Sequence, residues 1–283
     1  MTQVAESDFL AGMAAASQRR SEVARAQLSD AQQRSLLSCL GATTPLMLAP
    51  GNFDLIAELK KQSPAEGKLD LGSFDPLQQA EAYARGGAAA LSVLTEPDRF
   101  SGSLADLQAI AALNPGVPVM RKDFLVSRFQ VREARLAGAS GVLLIAAILN
   151  AEQLKAMLDA AFELDLFVLL EAFDQSDLEK SVAALQSYGA AVDLTGRCRF
   201  MLGVNCRDLR TLKVDFRHFE RMARLLPAEL PCVAESGVAT AEQAAEVSGL
   251  GYRLALVGTA LMRSADPAKA VRELRQAGAR QCS

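Results

Sequence analysis

Tryptophan is absent from this chain of 283 residues, and histidine occurs only once, as His218. That histidine lies in DFRHFERM, a polar stretch with helical spacing, and we expect it at the protein surface. The sequence therefore offers no support for a Ser-His-Asp or Cys-His catalyst, because each needs a histidine base beside its nucleophile.

Cysteine is also scarce, and the chain has no CxxC pair. The five cysteines are scattered at Cys39, Cys198, Cys206, Cys232 and Cys282. Neither the ligand spacing of a zinc site nor the clustering of a disulfide framework is present. We therefore expect reduced thiols and no metal site.

Long apolar runs are missing too, so no segment is predicted to span a bilayer. The first residues, MTQVAESDFL, carry acids where a secretory signal would carry positive charge. A net charge of −3 also lacks the basic excess of a protein that binds nucleic acid or anionic membranes. We expect a cytoplasmic protein without such partners. Hydrophobic residues make up 50% of the chain, which is enough for a sizeable core.

Eight apolar segments alternate with helical patterns from residue 55 onward. The predicted strands are 55–59, 89–94, 117–120, 141–145, 166–170, 200–204, 232–234 and 254–257. The predicted helices are 76–85, 104–113, 128–137, 151–164, 176–185, 216–225, 241–247 and 267–276. Continuous apolar strands are typical of parallel sheets buried on both faces. Eight strand–helix units predict a single (β/α)8 TIM barrel.

The first 50 residues have a different, more polar character. We predict a helix around residues 10–14, a second at about 19–28, and a third that Ser29 and Asp30 cap and that runs to about residue 40. The predicted domains are an N-terminal helical extension at 1–50 and a barrel catalytic domain at 51–283. A doubly wound open sheet is the competing fold, but no GxGxxG motif follows the first strand and no break divides the chain.

Glu58 and Lys60 lie at the carboxyl end of the first predicted strand, in LIAELKKQSPAEGK. Side chains two residues apart on a strand point to the same face. A buried charge is costly unless it meets a partner. Either a structural ion pair or a substrate would satisfy these two residues.

Polar residues recur at the ends of most of the remaining predicted strands. They are Ser92, Arg121, Lys122, Asp123, Glu171, Asn205, Arg207, Glu235 and Ser236. In a parallel barrel these ends meet at one mouth, where active sites lie. A single anionic substrate would account for all of these residues together, so we favour a functional site over separate structural pairs.

Two glycine turns follow the seventh and eighth predicted strands. AESGV contains Ser236 and Gly237, and VGTALM contains Gly258 and Thr259. Glycine allows backbone amides to approach a ligand closely, and strand-to-helix turns favour anions. After the last two strands of a barrel, such turns predict a phosphate-binding site.

In their order along the chain, these motifs resemble the indole-3-glycerol-phosphate synthase family of tryptophan biosynthesis. The matching segments are IAELKKQSPAEG, SVLTEPDRFSGSLADL, PVMRKDF, EARLAGASGVLLIAAIL, LLEAF, LGVNCRDLRTL, VAESGV and VGTALM. The resemblance implies a barrel preceded by helices, with no cofactor and no metal. It also implies a carboxy-lyase that closes the ring of 1-(2-carboxyphenylamino)-1-deoxyribulose 5-phosphate, releases CO2 and water, and yields indole-3-glycerol phosphate. Other tryptophan-pathway enzymes become candidate partners.

The resemblance also implies roles for individual residues. Lys122 is similar to the lysine that acts as general acid on the substrate carbonyl, and Glu171 to the carboxylate that handles a proton on the opposite side. Glu58 and Lys60 resemble the pair that orients the anthranilate part and assists dehydration. Which lysine serves which proton step stays open. The remaining implied site residues are Asn205, Arg207, Glu235, Ser236, Ser63, Gly237, Gly258 and Thr259.

The ring-closure and dehydration steps themselves require such groups. Forming a carbon–carbon bond at a carbonyl requires an acid to neutralise the developing oxyanion. We expect crowding by other cations to lower the pKa of the acidic lysine, while Glu171 and Glu58, from other strand ends, are expected to converge on Lys122 as partners for its charge. The dehydration step then needs a carboxylate that exchanges a proton.

The chain departs from the family pattern at three positions. Cys206 stands where a second asparagine is common, Phe173 where a histidine is common, and Thr259 where Glu or Ser often follows the glycine. These departures leave open a paralogue that runs the same reaction in a specialised pathway. An isomerase of the phosphoribosyl-anthranilate type and an inactive barrel kept as a scaffold are competing hypotheses. The intact acids and lysines disfavour both of them.

Overall fold

The structure, a computed structural model, describes residues 9–69, 74–208 and 211–279. Eight parallel strands pair in chain order, and the eighth pairs with the first to close a barrel. They are β1 Asp54–Leu59, β2 Ala90–Leu94, β3 Val119–Lys122, β4 Gly141–Ile145, β5 Phe167–Ala172, β6 Phe200–Asn205, β7 Cys232–Glu235 and β8 Leu254–Val257. The predicted TIM barrel is confirmed, and the open sheet is excluded.

Among the residues that the structure describes, two helices precede the barrel, and one longer helix follows each strand. They are α1 Phe9–Gln27, α2 Asp30–Leu37, α3 Pro76–Gly86, α4 Leu104–Ala112, α5 Arg128–Leu136, α6 Ala151–Glu163, α7 Gln175–Leu185, α8 His218–Ala223, α9 Ala241–Gly249 and α10 Pro267–Ala279. Short polar residues begin many of them. Asn150, for example, accepts from the backbone of Gln153, whose side chain accepts from the backbone of Asn150.

Alternate strand residues divide the apolar core into two layers. Leu55 and Ala57 belong to an outer cluster between the strands and helices, whereas Ile56 belongs to an inner cluster that fills the barrel. Met120 and Leu169 share the inner layer. Period-two alternation therefore decides which side chains can reach the mouth of the barrel.

A two-residue strand, Leu46–Met47, pairs antiparallel with Arg197–Cys198 just before β6 begins. Leu46 and Leu48 are buried within the inner cluster. The segment therefore packs against the amino-terminal end of the barrel, opposite the strand ends that carry the charged residues.

The N-terminal segment differs in detail from the prediction. α1 is one continuous helix, so the expectation of two helices before residue 28 is wrong. The linking residues, AAASQRR, contain neither glycine nor proline to interrupt it. α2 begins after Ser29 with the capping interaction expected, but it ends at Leu37. The division into domains at residue 50 stays a prediction.

His218 is buried, so its expected place at the surface is wrong. It begins α8 on the face that packs toward β5. Its Nε2 lies 2.5 Å from the carbonyl oxygen of Phe173, and its ring stacks on the Phe173 ring with 4.8 Å between centroids. An aromatic stack with a satisfied ring nitrogen offsets the cost of burying the imidazole.

Cys39, Cys198, Cys206 and Cys232 are free thiols in the described part of the chain, while Cys282 lies outside it. Within the same ranges, no group of His, Cys, Asp and Glu side chains is arranged to hold a metal ion. Among the described helices, none has the length and apolar composition needed to cross a membrane.

Candidate active site

One cavity of about 390 Å³ opens at the carboxyl ends of the barrel strands. All of the residues to which the family resemblance gives a role line it. They are Glu58, Lys60, Ser63, Lys122, Glu171, Asn205, Arg207, Glu235, Ser236, Gly237, Gly258 and Thr259. They come from β1, β3 and β5 to β8 and from the loops that follow them, so only barrel closure brings them together.

Lys122 lies between two carboxylates. Its Nζ is 3.7 Å from Glu171 Oε2 and 3.7 Å from Glu235 Oε2. Lys122 is the last residue of β3. It lies two residues after Met120, which belongs to the inner cluster, so its side chain also points into the barrel. Its side chain is 16% exposed, which leaves the ammonium accessible from the cavity.

The expectation that cationic crowding lowers the pKa of Lys122 is wrong. Burial alone would lower this pKa, but the charges of Glu171, Glu235 and Glu58 outweigh burial and raise it above its ordinary value. The sequence places the cations and acids at strand ends but does not show that three acids surround this ammonium. Lys122 is therefore held in its protonated, donor form.

Glu235 ends β7, and burial followed by the charge of Glu171 raises its pKa well above its ordinary value. Among the described residues, neither carboxylate oxygen has a hydrogen-bond partner. Gly203, on the neighbouring β6, leaves room for this side chain, because a Cβ atom there would overlap Glu235 Oε1. We did not identify Gly203 from the sequence, since its role depends on the packing of an adjacent strand.

Glu58 and Lys60 form an ion pair in which Lys60 Nζ lies 2.9 Å from Glu58 Oε1. Both residues also line the cavity, so the pair lies within the candidate site. Burial favours a higher pKa for Glu58, but Lys60 and Lys122 outweigh it and hold this pKa below its ordinary value. Glu58 is therefore an ionised carboxylate.

Asn205 links the ends of β5 and β6. Its Nδ2 donates to Glu171 Oε1 over 3.2 Å, and its Oδ1 accepts from the Arg207 backbone N–H over 2.9 Å. The intervening residue, Cys206, is buried in the outer cluster, the layer that alternation predicts. The amide therefore fixes Glu171 and the loop that carries Arg207.

Two residues noted at strand ends do not line this cavity. Arg121 points outward, where its guanidinium bonds to Glu133 at 2.7 Å and Asp123 at 3.2 Å. Ser92 is fully buried beside Glu58 in the sheet register. Asp123 does line the cavity, but it also accepts from Arg20 of α1 over 2.8 Å. This bond ties the N-terminal helix to the residue after Lys122.

The two glycine turns lie on neighbouring strands. Ser236 and Gly237 have φ values of 66° and 73°, a left-handed turn that glycine adopts readily and serine adopts at a cost. Because Glu235 pairs with Leu256 in the sheet, this turn is beside the one that contains Gly258. A Cβ on Gly258 would overlap Glu58 Oε1, so this glycine also makes room for the ion pair.

An apolar wall completes the cavity and was missed in the sequence. It consists of Leu94, Phe100, Phe124, Leu143, Ile145 and Leu256. Alternation along β4 and β8 could have identified Leu143, Ile145 and Leu256 as side chains that point into the barrel. Phe100 ends the short helix Pro97–Phe100 and Phe124 lies in a loop, with 6.2 Å between their ring centroids, and no periodic pattern marks them. Such a wall suits an aromatic ring.

The family model described as indole-3-glycerol phosphate synthase matches residues 10–274. The chain belongs to the indole-3-glycerol phosphate synthase family. It is 45% identical over 221 residues to the protein of that name from Nocardioides sp., which covers 78% of this chain and 79% of the relative. It is 39% identical over 262 residues to the one from Listeria monocytogenes, across 91% and 95% of the two chains.

Solved structures support the fold of this indole-3-glycerol phosphate synthase family member. The 3-hexulose-6-phosphate synthase of Salmonella typhimurium superposes with a TM-score of 0.62 at 18% identity, over 81% of this chain and 100% of that one. At such low identity the likeness concerns the barrel alone.

Proposed function

We propose that this protein performs its family's reaction through the residues of the barrel mouth. The reaction converts 1-(2-carboxyphenylamino)-1-deoxyribulose 5-phosphate to indole-3-glycerol phosphate, CO2 and water, which makes the protein a carboxy-lyase. The observation that best supports this proposal is the position of the Lys122 ammonium. It lies 3.7 Å from both Glu171 and Glu235, in a cavity with an apolar wall. This arrangement supplies a proton donor beside a surface that suits an aromatic ring.

In the first step, the ring carbon that bears the carboxylate attacks the ketone carbon of the sugar chain. The carbonyl electrons move to oxygen, and Lys122 donates a proton to that oxygen. The raised pKa of Lys122 keeps the donor protonated at neutral pH, and the developing alkoxide is basic enough to take the proton. Loss of CO2 then returns the bonding electrons to the ring.

Dehydration follows, and it needs a proton on the departing hydroxyl and a base for a proton of the new ring. The ionised Glu58, paired with Lys60 at 2.9 Å, and Glu171 supply candidate groups for these transfers. Asn205 holds Glu171 in place through its 3.2 Å hydrogen bond. We assign Lys122 to ring closure and the Glu58–Lys60 pair to dehydration.

The phosphate of the substrate is proposed to bind between the turns after β7 and β8. The proposal is supported by the left-handed Ser236–Gly237 turn and the adjacent Gly258, since glycine turns of this kind can present backbone amides to an anion, and by Thr259 and Arg207, which line the same cavity. The proposal also places the protein in the cytoplasm, with other tryptophan-pathway enzymes as candidate partners, in keeping with its family.

The test is to mix the purified protein with the aminodeoxyribulose phosphate and follow indole fluorescence. The chain contains no tryptophan, so its own emission barely interferes. We expect product from the parent protein and little from a Lys122→Met control. No product from a folded parent protein would contradict the assignment. Conversion of phosphoribosyl anthranilate instead would favour the isomerase hypothesis.

A further inference from the structure

Glu66, in the loop after β1, places a carboxylate among the groups proposed to hold the substrate phosphate. Thr259 Oγ1 donates to Glu66 Oε1 over 3.0 Å. Arg263 Nη2 lies 3.1 Å from Glu66 Oε2, and Arg207 Nη2 lies 3.9 Å from Glu66 Oε1. Glu66, Thr259, Arg207 and Arg263 all line the cavity.

These donors form a set suited to a phosphate. A phosphate binds through hydroxyl groups and through guanidinium groups that match its oxygens. The Glu66 carboxylate uses the same hydroxyl and the same guanidinium groups. It therefore stands in for an anionic ligand when none is bound.

The backbone holds Glu66 in this position. Its N–H donates to Ser63 Oγ over 3.2 Å, and the flanking residues Gln62–Ser63 and Gly67–Lys68 pair as short antiparallel strands. The Glu66 side chain is 24% exposed, so it has space to turn toward solvent. A bound phosphate and the carboxylate repel each other, and one of them has to give up the shared donors.

We propose that Glu66 competes, as an internal anion, with the substrate phosphate for Thr259, Arg207 and Arg263. This inference rests on the proposed function, because it names the group that the phosphate displaces. Glu66 lowers the affinity for every phosphorylated ligand, including the product, and so favours product release. It takes no part in the bond-forming steps.

Calorimetric titration with inorganic phosphate tests the inference. In Glu66→Gln the donors lose their competing charge, and we expect the Kd for phosphate to fall about threefold or more, the size of one partly exposed charge interaction. The matched control is Glu163→Gln, which makes the same change at an exposed residue at the end of α6. The control should keep the parent Kd.

An unchanged or higher Kd in Glu66→Gln would overturn the inference, and a higher value would show that Glu66 orients the donors. No phosphate binding by either the parent or the variant would also overturn it. Glu66→Asp keeps the charge on a shorter side chain and should lie closer to the parent. Thermal unfolding of each variant checks that it is folded.

Substrate turnover separates this inference from the proposed function. If the parent makes indole-3-glycerol phosphate but Glu66→Gln binds phosphate no more tightly, only the role of Glu66 fails. If phosphate binding tightens but the parent turns over no substrate, the proposed reaction fails and the competition stands. If both hold, KM for the substrate should fall in Glu66→Gln along with the phosphate Kd.

Discussion

Gly203 and Glu235 fit together across the β6–β7 pair, because the missing Cβ of the glycine leaves the space that the carboxylate fills. A Cβ there would overlap Glu235 Oε1 and lie 3.1 Å from Leu169 Cδ1. Glu235 in turn lies 3.7 Å from Lys122 Nζ. A residue without a functional group thus controls the position of an acid next to the proposed proton donor.

Gly203→Ala should therefore lower kcat by about 10²-fold, the cost of displacing a reacting group by about 1 Å. Steady-state kinetics would measure this effect. Gly249→Ala is the control, since an added Cβ at Gly249 meets no atom within 4 Å. Parent-like kcat in Gly203→Ala would show that Glu235 is not needed in its present position.

Lys122→Met should keep the length and most of the packing of the side chain while removing the acid. General acids contribute about 10²–10⁴-fold, so we expect kcat to fall by at least about 10²-fold and KM to change much less. Lys122→Arg should be nearly as poor, because a guanidinium holds its proton too tightly. If the kcat of Lys122→Met lies within about threefold of the parent value, the loss is smaller than a general acid would cause. Lys60 then becomes the leading candidate for the general acid.

Gly258→Val should raise KM by blocking the approach of phosphate to the backbone. The structure adds a second effect, because the new Cβ would overlap Glu58 Oε1 and lie 3.0 Å from Lys60 Nζ. We therefore expect kcat to fall as well. Gly41→Val, where an added Cβ meets nothing within 4 Å, serves as control. Normal substrate affinity in a folded Gly258→Val protein would refute this phosphate site.

Cys206→Ala should leave turnover nearly unchanged, because Cys206 is buried in the outer cluster and points away from the cavity. The lost sulfur should lower the free energy of unfolding by about 1 kcal/mol, as is typical of such changes. Denaturant unfolding and kinetics measure the two quantities separately. A large loss of kcat with intact folding would give the thiol a chemical role.

Glu235→Gln should change how stability depends on pH. The folded parent binds a proton at Glu235 more readily than the unfolded chain does, because the folded pKa is raised. This contribution is present below the ordinary pKa of about 4.3 and is lost as pH rises through the folded value. Glutamine does not titrate there, so the variant should gain stability relative to the parent as pH rises from about 4.3 toward the raised folded pKa. The control Glu163→Gln should differ from the parent by an amount that does not change with pH. If the stability difference between Glu235→Gln and the parent is equally independent of pH, the raised pKa of Glu235 is contradicted.

The sequence by itself determined the barrel and the charged residues at the ends of its strands. Each observed barrel strand lies within about two residues of its predicted bounds, because a buried parallel strand is a continuous apolar run. Glu58, Lys122 and Glu171 could be placed at strand ends for the same reason. Alternation also placed Cys206 in the outer layer, since strand geometry is local.

Only the tertiary structure decided how these side chains meet. The raised pKa of Lys122 depends on acids from β1, β5 and β7, which barrel closure brings to one point. His218 is buried by its stack on Phe173, which lies 45 residues away in the chain. The contact of Glu66 with Thr259 spans 193 residues. Local patterns predict which elements form, but contacts between distant strands and loops set charge, burial and available space.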